Sequence, residues 1–242
     1  MKRLLALLPL IALSLSGCSV SDDSKDKQSS GRETSQESSS SSEESSGEPE
    51  KDIEYYQIDA VRFNALFKDY GILNQYDSLS VLIVDEFFNN SETTIEFDHG
   101  NFRVDYDGNG FIFEKTEDPT IYHQYYSYDW IDVYNIGDMT ITSYEDITSY
   151  AYWTFFDLEF SDLTFNSAKK AYTLEDHQET HDEETTLYKN IEYYFEDNQM
   201  KKLKYSYQSE DENDDLKWFN VVETYSGYNS TTIVIPDEIL EF

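Results

Sequence analysis

From residue 79 to residue 225 the chain is a succession of short runs in which apolar and polar side chains alternate, joined by strong turn formers. The stretch "TIEFDHGNFRVDYDGNGFIFE" (94–114) holds three such runs, linked by "DHGN" and "DGNG". A period of two sends alternate side chains to opposite faces of an extended strand, and Asp-Gly or Asn-Gly supplies the left-handed backbone of a tight hairpin. Runs of the same kind cover 79–88, 93–97, 102–106 and 111–115. They resume at 163–166, 171–175, 187–196, 200–208, 216–225 and 230–236, and 120–130 and 139–142 are extended as well. No strand–helix–strand alternation interrupts them. The expected class is α+β, mostly β: a large curved antiparallel sheet with about two helices packed on one face. A sheet of about ten strands curls or closes rather than staying flat.

Two segments carry a helical period instead. Asp59 is placed to cap a helix over 60–70 with Val61, Leu66, Phe67 and Tyr70 on one side, and Gly71 supplies a left-handed stop. A second helix is predicted over 143–156, capped by Ser143, with Ile147, Tyr150, Ala151 and Phe155 as its buried face.

Composition divides the chain sharply. Residues 19–52 contain 13 serines, ten acids, four bases and no aromatic residue. Such a stretch cannot bury enough apolar area to offset its ordering entropy, so it is expected to be a disordered spacer. All 39 Tyr, Phe and Trp lie in 53–242, which is the length of one domain with a sizeable core. That segment sets 11 Lys and Arg against 40 Asp and Glu, a formal charge of −29. Nucleic-acid binding depends on basic patches, so the charge excludes it as a class. Taken as a whole, the charge also repels anionic membranes and wall polymers, and it attracts divalent cations or cationic ligands.

The N-terminus has its own signature. Met1-Lys2-Arg3 is basic, 4–15 is apolar apart from Pro9 and Ser14, and Cys18 is the sole cysteine of 242 residues. A basic start, a short apolar core and small residues before a cut describe a secretory signal over 1–17, too short to span a bilayer as a helix. Leu15-Ser16-Gly17-Cys18 resembles the lipobox of bacterial lipoproteins at all four positions. The resemblance implies cleavage between Gly17 and Cys18, lipidation of Cys18, and a protein held by that anchor on the extracytoplasmic face of a membrane. That is the cell membrane of a one-membrane host, or the outer membrane of a two-membrane host. Ser19 stands where the family places its inner-membrane retention aspartate. The organisation expected is therefore 1–17 signal, 18–52 lipidated cysteine and linker, and 53–242 one folded domain.

The folded segment also resembles LolA/LppX-like envelope lipoproteins. The likeness rests on the early helix, the hairpins of 94–114 and the closing "YSGYNSTTIVIPDEI" (225–239). It implies a half-open barrel with a cavity that takes acyl chains.

Two stretches have metal-ligand features. Asp105, Asp107 and Asn109 of "DYDGNGFIFEKT" occupy the first, third and fifth positions of a calcium loop, but Thr116 stands where that loop needs a bidentate glutamate. A hairpin turn accounts for the same residues. His177 and His181 of "DHQETHDEE" (176–184) would share one face if the segment were helical, as a zinc site requires, whereas a polar loop is the alternative. No thiol is left for catalysis once Cys18 is lipidated, and neither a Gly-x-Ser-x-Gly elbow nor a phosphate loop occurs. A non-catalytic lipoprotein is expected, binding a hydrophobic or envelope-derived ligand without a required cofactor. The alternatives are an adhesion or scaffold module that binds another protein, and a metal-dependent activity at His177 and His181.

Overall fold

The structure is a computed structural model, and it describes residues 53–128, 132–148, 151, 153–181, 184–211, 213–236 and 239–241. The signal, the lipobox cysteine and the spacer fall outside these residues.

The alternating runs form strands β1 (Ser78–Asp85), β2 (Ser91–Asp98), β3 (Asn101–Tyr106), β4 (Asn109–Lys115), β5 (Ile121–Tyr128) and β6 (Asp132–Thr140). They continue as β7 (Thr164–Asn166), β8 (Ala171–His181), β9 (Glu184–Glu196), β10 (Gln199–Glu210), β11 (Leu216–Ser226) and β12 (Leu240–Glu241). Among the described residues they make one open, curved sheet in the order β12-β6-β5-β4-β3-β2-β1-β11-β10-β9-β8-β7. Every neighbouring pair is antiparallel except β12 with β6. Three connections are two-residue hairpins with positive φ at both positions: His99-Gly100, Asp107-Gly108 and Asp197-Asn198. This is the type I′ turn, whose twist matches that of its strands.

One face of the sheet is thickly covered. Helix α1 (Ala60–Phe67) lies on it, capped by the Asp59 carboxylate, which accepts from Arg62 N at 2.7 Å. Phe63 and Leu66 are its buried residues, and Val61, expected on that side, is 78 % exposed. The helix stops at Phe67, three residues early. Asp69 and Tyr70 take the left-handed conformation expected of Gly71, whose own φ is −53°. Glycine is needed there for space: a Cβ would sit 2.1 Å from the Ala65 carbonyl oxygen. After it come α2 (Ile72–Gln75) and, between β6 and β7, α3 (Tyr144–Thr148).

The second predicted helix is thus confined to one turn and a half. Residues 153–159 carry no regular secondary structure and do not join the sheet, and Trp153 and Phe156 anchor them in the core. Ile147 and Ala151 are buried as expected, Phe155 is half-buried, and Tyr150 lies outside the described residues.

The other face is covered at one end only. The run 230–236, expected to be a strand, is instead an irregular strap. Its Ile233 and Ile235, with Ile239, pack on Ile112, Tyr125 and Val133 of β4, β5 and β6. Two anchors seat it: Thr231 N donates to Ser78 Oγ (3.0 Å) and Ile233 N to Asp98 Oδ2 (3.1 Å). Ordinary alternation along β5 sends Tyr122 into the main core and Tyr125 into the strap cluster.

Candidate functional site

The space beneath the sheet is where a carrier would hold its ligand, and it is filled by side chains. Phe63 meets Tyr193 and Phe160, each with ring centroids at 5.6 Å, and Tyr144 meets Phe102 at 5.7 Å. Phe156 packs edge-on against Tyr188 (4.9 Å), Tyr205 (5.1 Å) and His177 (5.9 Å). Two open hollows lie outside this core: one is lined by Glu92, Thr94, Asp105 and Asp107, another by Asp59, Arg62, Gln75 and Asn198.

Within that core stands a carboxylate that pattern reading missed. Glu223 occupies a core-facing position of β11 between Val221 and Tyr225 and has no solvent exposure. The Tyr225 hydroxyl donates to it at 2.6 Å and Thr154 N at 3.5 Å. Trp153 Nε1 in turn donates to the Tyr225 hydroxyl (3.0 Å), and the Tyr205 hydroxyl donates to Thr154 Oγ1 (2.9 Å). Burial pushes the Glu223 carboxyl up to about 8, against the opposing pull of these donors, so it is protonated at neutral pH. Burial, aided by the carboxylate, likewise raises Tyr193, Tyr205 and Tyr225 well above the usual phenol range. The network clamps 153–154 onto β10 and β11. With no solvent-accessible surface on Glu223, the arrangement is one of structural support. Its sequence signal was the position itself, a glutamate in the apolar phase of "VVETY".

The residues singled out from sequence take ordinary places. Asp105, Asp107 and Asn109 form the β3–β4 hairpin: Arg103 pairs with Asp105 at 3.1 Å, and Asn109 accepts from the Tyr126 hydroxyl (3.1 Å) and donates to the Asp107 carbonyl (3.2 Å). Thr116 lies at the far end of β4, about 23 Å along the strand, so the calcium-loop geometry is not formed. His177 and His181 belong to β8, not to a helix or a loop. Strand positions four apart are separated by about 13 Å, which removes the spacing that would bring both to one ion. His177 Nε2 lies 3.2 Å from Glu179, whose carboxylate also accepts from Asp157 N at 3.0 Å. Among the described residues no group of three or more His, Cys, Asp or Glu converges as a metal site would require.

At one end the aromatic core runs out to the surface. Phe87, 37 % exposed, meets Phe88 and Phe219 with both centroid distances at 5.0 Å. Tyr207 lies behind them, its hydroxyl donating to Asp85 at 3.1 Å.

No protein-family model, no curated protein and no solved structure matches this chain.

Proposed function

We propose that this is a lipid-anchored, non-catalytic protein of the bacterial cell surface. Its folded domain acts as an adhesion module, presenting an open sheet to a macromolecular partner. The observation that carries this reading is the filled underside of the sheet. A carrier of acyl chains needs an apolar cavity, and here Phe63, Trp153, Phe156 and Tyr193 occupy the volume such a cavity would take. The same observation favours this reading over the acyl-chain cavity that the LolA/LppX-like resemblance implies. The exposed Phe87–Phe88–Phe219 cluster supports the adhesion reading, because large aromatics at a surface are the usual anchors of interfaces.

Lipid mass spectrometry of the natively purified full chain tests it. One acylated N-terminus at Cys18 and no further bound lipid is the expected result, and Cys18→Ala removes the acyl signal. Stoichiometric non-covalent lipid would return the carrier reading to first place. Unchanged acyl labelling of Cys18→Ala would remove the anchor.

A further inference from the structure

A charge of −29 is an average, and the fold distributes it unevenly. Seven of the domain's 11 bases fall between Lys169 and Lys217. On β10, Leu203 and Tyr205 face the core, so alternation turns Lys202 and Lys204 to the outer face. Both stand over the ring of Tyr194 on β9, at 5.9 and 5.2 Å from its centroid. Lys189, also on β9, stands over Trp218 of β11 at 4.0 Å. Among the described residues none of these three lysines has a carboxylate within ion-pair distance. Lys170 and Lys201 likewise stand over the rings of Tyr56 and Tyr228; what sets Lys189, Lys202 and Lys204 apart is their shared place on the outer face of the paired strands β9 and β10.

Register supplies the rest of the surface. One row across the outer face reads Tyr194, Lys202, Thr224, Leu82, and the next reads Glu192, Lys204, Val222, Val84. Glu192 faces Lys204 across the strands and is engaged by Lys169 and by the Tyr194 hydroxyl, with Lys204 adding its field, and Asp176 of β8 is the cross-strand neighbour of Lys189. Strand rise places the Cα atoms of Lys202 and Lys204 about 7 Å apart, and Lys189 pairs with Ser206, two residues beyond Lys204. The C-terminal strap packs on β4 to β6, away from the lysines of β9 and β10.

We infer that the outer face of β9–β11 binds an acidic polysaccharide. Its carboxylates or phosphates would pair with Lys189, Lys202 and Lys204, and its sugar rings would lie against Tyr194 and Trp218. The inference rests on the adhesion reading and names its partner class. Charge complementarity selects an anion. Cations spread over two adjacent strands select a polyvalent anion, and the aromatic rings beneath the cations select sugars over bare phosphate chains. Screening at physiological ionic strength cuts the repulsion of distant acids beyond about 8 Å, so a local cluster governs the encounter.

The experiment uses the full chain with Cys18→Ala, titrated calorimetrically with polygalacturonate, with neutral dextran, and with phosphatidylglycerol vesicles. Binding to polygalacturonate that weakens with salt, and no heat with dextran, is expected. Lys189→Gln/Lys202→Gln/Lys204→Gln should weaken it at least tenfold with an unchanged circular dichroism spectrum. The triple arginine variant should keep it, and Lys68→Gln/Lys115→Gln should stay within twofold of the parent. No polygalacturonate binding, equal binding of dextran, full retention by the triple glutamine variant, or binding of the vesicles alone would each overturn the inference. Those results leave the adhesion reading intact for a protein partner, whereas stoichiometric lipid in the purified chain would defeat both.

Discussion

Glu223 is the residue on which the pH response of the core turns. Its carboxyl is raised from 4.5 in the free state to about 8 by burial, so the folded form holds a proton that the unfolded chain releases. The stabilisation is therefore complete below about pH 4.5 and is lost progressively as pH rises toward 8, by on the order of 5 kcal/mol over that window. Glu223→Gln keeps the shape and removes the titration. Urea midpoints should fall from pH 5 to pH 8 more steeply for the parent than for the variant, and equal slopes would show that Glu223 does not titrate as described. Gly71 makes a steric prediction. Its φ is ordinary, but a Cβ meets the backbone of Ala65, which cannot yield. Gly71→Ala should cost about 2–3 kcal/mol, read as a lowered thermal midpoint; an unchanged midpoint would mean that the α1–α2 junction relaxes freely. Neither role was legible beforehand. A glutamate in an apolar phase and a glycine after a helical run suggested, at most, an exposed acid and a left-handed stop.

Among the elements, the C-terminal strap has the weakest hold for what it covers. It lacks ladder hydrogen bonds over 230–236, yet its isoleucines shield Ile112, Tyr125 and Val133. Ile233→Ser/Ile235→Ser should lower stability by about 2–4 kcal/mol and increase binding of a hydrophobic dye. If stability and dye binding both stay at parent values, the strap is not part of the core. The strands before it were readable because a half-buried strand writes its burial into a period of two, and I′ turns demand Asp, Asn and Gly. "STTIVIP" alternates in the same way but stays out of the sheet, since Asp98 of β2 holds Ile233 N by its side chain and the isoleucines lie across the face of β4 to β6. Residues 143–156 failed for a related reason. Apolar residues at helical spacing are also what an irregular run needs when Trp153 and Phe156 are its anchors.

Across the whole molecule, 50 acids against 17 bases make self-repulsion the dominant long-range force. Screening should relieve it, so the urea midpoint at neutral pH should rise between 20 and 500 mM sodium chloride. A midpoint that falls with salt would mean that attractive pairs outweigh the repulsion. The sequence by itself determined the antiparallel β class, the hairpins of 94–114 and the aromatic composition of the core, because each is written in near neighbours. Tertiary structure alone decided that the space under the sheet is filled, that Glu223 sits inside it, that His177 and His181 lie along a strand, and that three lysines share one outer face. These are products of packing and register between segments distant in the chain, and local periodicity carries no record of which strand comes to lie beside which.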